Sequence, residues 1–577
     1  MRDTLNAAIT ATLEAAIAAG RLPLDALPKV SVERPRDRSH GDWSTNVALV
    51  SAKLAGMSSR EIAELVAADL RERLAGTADA VEVAGPGFIN IRLARGVVSD
   101  VVTRVREQGD AFGAGERSGR RVQVEFVSAN PVGPMHVGHG RWAALGDSIA
   151  RILAHAGDDV QREFYVNDAG VQMDIFAVSV SARYLELCGR EVDFPEDGYR
   201  GAYIIDIARE ILDAEGERWA DADADEREAH FKEQAYAAVL EHLKHVLHGM
   251  GVDFDVWFSE RTLHAPGPDG GQTAIERGIA RLREAGYLFE HEGALWFRST
   301  DFGDDKDRVL VKADGSYTYF AADVAYHADK YDRGFDLVID IWGADHHGYV
   351  KRMESAVAAL GHPGKLEVII GQMVNLFRNG EVVRMSKRTG EMVTFEDLLD
   401  EVGADAARYF FLRRSTDQPV DFDIALAKQR SADNPVYYVQ YAHARICSLL
   451  RKAAGADTAD ESVDVAAVAS GIAADEVALA LLGADAGTLA AEAELGLLRK
   501  LAEFPEVVEI AARQRAPHKL TTYAEDLAAA FHQFYTHCQV VVEDPQLRSA
   551  RLALADAARI VLARSLGLLG VSAPQRM

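Results

Sequence analysis

The chain has 577 residues, of which 48% are hydrophobic and 26% charged, so it is long enough for several domains with ordinary cores. Its net charge of −26 does not favour binding to phosphates, but the acidic excess lies in the middle of the chain and both ends are nearly neutral. Cys188, Cys447 and Cys538 are far apart in the sequence, which argues against a disulfide framework and a zinc site. No segment is apolar enough to span a bilayer, and we expect a cytoplasmic protein with no membrane partner.

Residues 1–113 mix helical and strand patterns. A strand is predicted at Phe88–Leu93, after the turn residues Gly85-Pro-Gly87. The pattern is interrupted at Phe112-Gly-Ala-Gly115, where we place the end of an α+β domain. An amphipathic helix is predicted at the start, because apolar residues recur at helical spacing at Leu5, Ile9, Leu13 and Ile17.

Residues 114–403 contain two strand–helix–strand patterns. The first places a strand near Val122–Phe126, a helix ending near Gly157 and a strand at Val160–Val166. The second places a strand at 335–342, a helix at 349–360 and a strand at 366–370. Such units predict an α/β fold with a Rossmann-like doubly wound parallel sheet. An acidic, mainly helical stretch, roughly 174–260, is interpreted as an insertion.

The end of this region carries two local signals. Asn379-Gly380 between apolar runs predicts a tight hairpin, since both central residues need positive φ. Thr394 with Asp397 three residues later predicts a capped helix that ends near Gly403. Residues 404–577 are rich in alanine and leucine at helical spacing, and we expect a C-terminal all-α helix bundle.

Two histidines stand where a loop meets a predicted helix, in His136-Val-Gly138-His139. A helix N-terminus attracts anions through its unpaired N–H groups and its dipole, and two imidazoles there can stabilise developing phosphate charge. Gly138 would let a base or a backbone approach closely. Taken alone, the pair is equally compatible with two polar turn residues.

A basic loop, Met385-Ser386-Lys387-Arg388-Thr-Gly390, follows the predicted hairpin. A loop of this kind can bring cations to a triphosphate and stabilise a transition state electrostatically. The alternative is a solvated basic loop. The order of the two motifs on a doubly wound scaffold favours the nucleotide interpretation, because ligands of such sheets lie beyond the strand carboxyl ends.

The two motifs resemble the HIGH and KMSK signatures of class I aminoacyl-tRNA synthetases, with Val137 for Ile and Arg384 for the first Lys. The resemblance implies attack of an amino-acid carboxylate on the α-phosphorus of ATP, followed by transfer to tRNA. It implies catalytic roles for His136, His139 and Lys387, and Mg²⁺ that arrives with ATP rather than in a protein cage. It also implies ATP contacts by Gly138, Met385, Ser386, Lys387 and Arg388.

Other segments resemble the arginyl members of this class. Glu125-Phe-Val-Ser128-Ala-Asn130 is similar to a strand-end segment that holds arginine, and Tyr319-Phe-Ala-Ala-Asp323 to a Tyr-x-x-x-Asp segment. The resemblance implies that these residues bind arginine, and a weaker match adds Glu260. Carboxylates suit a guanidinium, which is planar, always charged and able to pair through two donors.

Gly343-Ala-Asp345-His-His347-Gly348 follows a predicted strand, where the family binds adenosine, which implies roles for Gly343, Asp345 and His347. A metal site is the alternative. We disfavour it, because two adjacent histidines on a short loop seldom face one metal and no third ligand has suitable spacing.

The two ends of the chain complete the resemblance. His40–Val47 and Gly85–Asn90 are similar to an N-terminal domain of arginyl enzymes that contacts tRNA, and Gly403–Arg408 is similar to a DALR-type anticodon domain. The expected protein is a monomer that uses L-arginine, ATP and tRNA(Arg). Two alternatives stay open: a paralogue that ligates an amino acid without tRNA, and an inactive tRNA-binding protein.

Overall fold

The computed structural model describes residues 1–35, 37–267, 270–383, 393–453 and 484–577. Two compact units divide these residues, and each is built from separated segments. One unit comprises Met1–Gly109, Leu449–Ala502 and Ala530–Ile560. The other comprises Asp110–Ser448, Glu503–Ala529 and Val561–Met577. None of the described helices is long and apolar enough to cross a membrane.

The N-terminal part of the first unit packs helices against an antiparallel sheet of order β1-β2-β4-β3. The predicted amphipathic helix is confirmed, with Leu5, Ile9 and Leu13 fully buried. A capping box between Ser58 and Glu61 starts the third helix. The elements are α1 (Arg2–Ala18), β1 (Val32–Glu33), β2 (Trp43–Thr45), α2 (Val47–Ala55), α3 (Ser59–Arg73), β3 (Ala78–Ala84), β4 (Phe88–Leu93) and α4 (Arg95–Gln108).

Two ion pairs lie within this unit between the N-terminal elements and helical segments of the C-terminal region. Arg499 Nε is 3.2 Å from Asp42 Oδ1, and Arg106 Nε is 3.3 Å from Asp556 Oδ2. Asp42 is buried, and its other oxygen accepts a hydrogen bond from the backbone N–H of Leu93 at 2.9 Å. Residues 1–109 therefore share a compact unit with two segments of the C-terminal region, 449–502 and 530–560.

A parallel sheet of order β12-β11-β5-β6-β7 forms the centre of the second unit and confirms the predicted doubly wound fold. Its strands and the helices between them include both predicted strand–helix–strand units. The first part consists of β5 (Arg121–Glu125), α5 (Val137–His155), β6 (Asp159–Val166), α6 (Val171–Leu187), α7 (Ala202–Glu215), α8 (Ala224–Gly249) and β7 (Val256–Ser259).

The acidic stretch interpreted as an insertion is helical through α6, α7 and α8, but it ends in a strand that the sequence analysis did not predict. There β7 pairs in parallel with β6, from Glu163↔Val256 to Val166↔Ser259. Four residues between predicted helices gave too short a pattern to be recognised as a sheet strand.

Beyond β7 lies a small antiparallel sheet of order β10-β9-β8, which the sequence analysis did not predict. The chain then returns to the central sheet through a helix and a strand that carry site residues. The elements are α9 (Arg261–His264), α10 (Ala274–Glu284), β8 (Leu288–His291), β9 (Ala294–Phe297), β10 (Arg308–Val311), α11 (Tyr319–Asp332), β11 (Leu337–Gly343), α12 (Val350–Ala359) and β12 (Leu366–Gly371).

The predicted hairpin is formed by β13 (Val374–Arg378) and β14 (Glu381–Val382), with φ of 54° at Asn379 and 82° at Gly380. The predicted capping box is also present, since Thr394 and Asp397 bond reciprocally at the start of α13 (Phe395–Val402).

Within 404–453 and 484–577, the described parts of the C-terminal region, the chain is helical, as predicted, apart from one short strand. That strand, β15 (Val420–Asp423), pairs in parallel with β13. The helices are α14 (Ala404–Leu412), α15 (Ile424–Ala427), α16 (Pro435–Ala453), α17 (Glu492–Gln514), α18 (His518–His537) and α19 (Pro545–Leu568).

Candidate active site

A cavity of about 470 Å³ opens at the carboxyl ends of β5, β6, β7 and β11. This is where a doubly wound sheet presents its ligand site. Most of the residues predicted from the sequence line this cavity together, although they come from distant segments. They are Glu125, Ser128, His136, His139, Glu260, Tyr319, Asp323, Gly343 and Asp345.

Three predicted residues do not line the cavity. Asn130 donates its amide hydrogen bond to Gln172 Oε1 at 2.5 Å. His347 is exposed, and its neighbour His346 lines the cavity instead. Gly138 lies behind the His136 ring, where a Cβ would stand 2.8 Å from His136 Cε1, so glycine makes room for that ring. The predicted Met385, Ser386, Lys387 and Arg388 fall outside the described residues.

The histidine pair is held at the start of α5. His136 is the N-cap residue, and its backbone N–H donates to His139 Nδ1 at 3.2 Å. The two rings stack with centroids 3.7 Å apart, and the edge of Trp142 meets His139 at 5.3 Å. Both imidazoles therefore stand at the positive end of a helix dipole, facing the cavity.

Strained backbone follows β5 at the edge of the cavity. Val127 has φ of 69° and Ser128 has φ of 45°. Positive φ is an outlier for a β-branched residue and costs on the order of 1–3 kcal/mol. The turn lets the Ser128 hydroxyl donate to Glu125 Oε1 at 2.9 Å while it accepts from the Tyr165 backbone N–H at 3.2 Å. This turn thus places the Ser128 side chain over the carboxyl end of β5.

The floor of the cavity contains charged residues that the sequence analysis missed. Fully buried Lys330 places its ammonium 2.5 Å from Glu125 Oε2 and 2.9 Å from Asp340 Oδ1. Burial alone would lower the pKa of Lys330, but the carboxylates of Asp340 and Glu125 raise it above its usual value. His327 Nε2 lies 2.9 Å from the other oxygen of Asp340. Lys330 is therefore a charged group at the base of the site.

Asp323 and Glu260 form a second acidic group. Burial raises the pKa of both carboxyls, and the pKa of Glu260 rises to about 7. Their hydrogen-bond partners are neutral: Tyr349 donates its hydroxyl to Asp323, and Tyr165 hydrogen-bonds Glu260. The charge of Asp323 also raises the pKa of Glu260. A buried and a half-buried carboxylate in each other's field favour a bound cation.

Three family models match successive parts of the chain. They are the arginyl-tRNA synthetase N-terminal domain at residues 3–93, the class I tRNA synthetase (R) catalytic domain at 101–423, and the DALR anticodon-binding domain at 439–577. The catalytic model alone spans more than half of the sequence. The chain belongs to the arginyl-tRNA synthetase family.

Relatives of the family match over the full length of the chain. An arginine–tRNA ligase from Heliobacterium modesticaldum is 48% identical over 579 residues, covering 100% of this chain and 99% of its own. A solved arginyl-tRNA synthetase from Campylobacter jejuni is 32% identical with a TM-score of 0.74, covering 84% of this chain and 100% of its own. The Thermus thermophilus enzyme, 23% identical, covers 100% of both chains with a TM-score of 0.74 and shows the shared fold.

Proposed function

We propose that this synthetase activates L-arginine with ATP and transfers the arginyl group to tRNA(Arg) for protein synthesis. Membership of the family supports the reaction class. The observation that carries the amino-acid assignment is the pair of carboxylates on the cavity wall, half-buried Asp323 and buried Glu260.

A guanidinium is the cation that best suits this pair. It is always charged, its planar fork gives two parallel hydrogen bonds to a carboxylate, and it is more weakly hydrated than an ammonium. Tyr319 lies one helical turn before Asp323 on α11, and both line the cavity. We infer that Asp323 and Glu260 share the guanidinium and that Tyr319 closes over it.

ATP is the second substrate. We infer that its adenosine lies against Gly343 and Asp345 and that its phosphates face His136 and His139. The support is their common cavity and the helix N-terminus that carries the histidines. Charge developing on the α-phosphoryl oxygens would then be stabilised where water is excluded. For Lys387 and Arg388, the family resemblance supports binding of the leaving pyrophosphate.

Magnesium is proposed as a companion of ATP. Among the described residues, no group of three His, Cys, Asp or Glu side chains is placed to hold a metal ion. Mg²⁺ commonly reaches such sites on substrate phosphates with several of its own waters. We therefore assign its binding to the triphosphate rather than to protein side chains.

The test is discrimination between arginine and citrulline, which has nearly the same shape but no charge. Removing one partner of a buried ion pair costs on the order of 3–5 kcal/mol, or roughly 10²–10³ or more in kcat/KM. Asp323→Asn keeps the shape and removes the charge, so the arginine preference should largely disappear. The measurement is kcat/KM for both amino acids at saturating ATP and tRNA. An unchanged preference in a folded Asp323→Asn protein would remove Asp323 from the site.

The same assay separates the two alternatives raised by the sequence. A paralogue that works without tRNA would consume ATP with arginine but form no aminoacyl-tRNA. An inactive tRNA-binding protein would do neither. The DALR anticodon-binding match at residues 439–577 supports a tRNA substrate.

A further inference from the structure

The buried ammonium of Lys330 bridges two neighbouring strands at the base of the cavity. Glu125 ends β5, and Asp340 lies opposite it on β11, because the two residues are in register in the parallel sheet. Lys330 reaches both carboxylates from α11, the helix that also carries Asp323. One cation therefore forms ion pairs with two of the acidic groups that line the cavity.

These two carboxylates already have partners on both oxygens. Glu125 accepts from Lys330 through Oε2 and from the Ser128 hydroxyl through Oε1. Asp340 meets Lys330 through Oδ1 and His327 through Oδ2. Every oxygen of the two groups thus already has one partner within the protein, so a guanidinium would have to share these acceptors.

Asp323 and Glu260 differ in this respect. In the described part of the chain, no lysine or arginine nitrogen lies within 4.0 Å of either carboxylate, and His264 stands 3.8 Å from Glu260. Glu125 and Asp340 therefore share a cation supplied by the protein, whereas Asp323 and Glu260 have no lysine or arginine partner at salt-bridge distance among the described residues.

We propose that Lys330 is a specificity-determining positioning residue: by occupying Glu125 and Asp340, it directs the guanidinium of the substrate to Asp323 and Glu260. The inference rests on the proposed function, because it takes arginine as the substrate. It also reassigns Glu125, which the sequence analysis placed among the arginine ligands, to the support of Lys330.

The surroundings of Lys330 fix its ammonium in place. Its Nζ lies 4.4 Å from the centre of the Tyr326 ring, within cation–π range. Tyr326 in turn donates its hydroxyl to Glu163 Oε1 at 2.6 Å, and Arg333 holds the same carboxylate at 2.6 and 3.0 Å. A fully buried ammonium with these partners cannot leave Glu125 for solvent.

Removing the ammonium should misplace the substrate rather than prevent its binding. In Lys330→Met, Glu125 and Asp340 both lose their shared cation and can compete for the guanidinium in the same cavity. A guanidinium drawn toward either of them would move the α-carboxylate away from the phosphorus, and a displacement of about 1 Å can cost roughly 10²-fold in rate. We expect kcat for arginine activation to fall at least about tenfold, while KM for arginine stays within about threefold.

The experiment compares Lys330→Met with the double variant Lys330→Met/Glu125→Gln. Glutamine cannot ionise, so the double variant lacks one of the two competing carboxylates and should recover at least about threefold in kcat. The matched control is Asp332→Asn on the same helix, which removes an exposed ion pair to Arg281 and should leave both constants unchanged. Equal rates for the single and double variants, or parallel rises in KM for arginine and ATP, would overturn the proposal.

A second measurement does not depend on the folding of Lys330→Met. If Glu125 pairs with Lys330 and not with the substrate, Glu125→Gln should change the arginine-to-citrulline preference by less than about threefold. Asp323→Asn, by contrast, should remove the preference. Loss of the preference in Glu125→Gln would show that Glu125 binds the guanidinium and would refute the assignment. Arginine activation by the wild-type chain tests the proposed function separately, because it does not involve these variants.

Discussion

Glu260 is a carboxyl of the candidate site that changes its protonation state near neutral pH. Its pKa of about 7 results from burial and is raised further by the nearby charge of Asp323. A carboxyl with a raised pKa holds its proton in the empty site at pH values where an exposed glutamate is ionised. If Glu260 binds the guanidinium as proposed, it must do so in its ionised form, so arginine binding and proton release are linked.

Arginine affinity should therefore fall as the pH is lowered through about 7. The sign follows from the protonated state, because below that pH each bound arginine must first displace a proton from Glu260. Between about pH 8 and about pH 6 we expect about a tenfold weaker Kd. Calorimetry with tRNA present would measure both the affinity and the protons released. Citrulline should show no such trend, and a Glu260→Gln protein that keeps the slope would contradict the assignment.

The sequence predicted the site residues that stand in family segments, such as Asp323 in Tyr319–Asp323. It could not predict Lys330 or Asp340. Each lies within a regular element, where the local pattern reads as a helix face or a buried strand, and Lys330 meets Glu125 across 205 positions. Pairing over such a distance is a property of the sheet order, which local periodicity does not determine.

At the scale of elements, α5 is held at its middle by an ionic hub, which is a buried cluster of ion pairs centred on Asp147. Asp147 accepts from Arg408 of α14, and Arg151 and Arg162 also approach its carboxylate, at 2.6 and 3.2 Å. Arg408 is fully buried and donates further to the Leu569 carbonyl at 2.9 Å and the Met250 carbonyl at 3.2 Å. The helix that presents the two histidines is thereby connected to four other segments: α14, β6, and the turns at Met250 and Leu569.

Arg408→Met should destabilise the second unit strongly. The change removes a fully buried donor from Asp147 and from two carbonyls. Although Arg151, Arg162 and Ser148 still contact part of this group, loss of buried hydrogen bonds should cost about 1–3 kcal/mol. The check is the thermal unfolding midpoint by scanning calorimetry. Arg413→Met provides the comparison, because its pair with Glu525 is partly exposed and should contribute at most about 1 kcal/mol. Similar midpoints for the two variants would show that the hub contributes little.

At the scale of the whole molecule, the N-terminal region is not an isolated module. Residues 1–109 share a compact unit with 449–502 and 530–560, and Asp42 is paired with Arg499 within it. The three family models match successive spans of the chain, which is a simpler division than the two compact units give. The division into domains at 1–113, 114–403 and 404–577 remains a proposal based on the sequence.

Deleting residues 1–113 should raise KM for tRNA and leave KM for ATP nearly unchanged, if this region contacts tRNA. The shared unit adds a second expected effect, since the deletion removes partners of the C-terminal helices and exposes apolar surface there. Kinetics must therefore be measured together with circular dichroism and the oligomeric state. A soluble, folded truncation with an unaltered KM for tRNA would count against the tRNA-contacting role.

The hub around α5 also has a consequence for how the protein is made. Ser148 donates its hydroxyl to the carbonyl of Leu569, which lies 421 positions further along the chain. On the ribosome, domains generally fold as the chain emerges, beginning at the N-terminal side. The helix with the two histidines is therefore complete long before the segment that fixes it has been translated. A chain released between Gly390 and Leu569 would carry both signature motifs and still lack the Leu569 carbonyl that Ser148 and Arg408 contact.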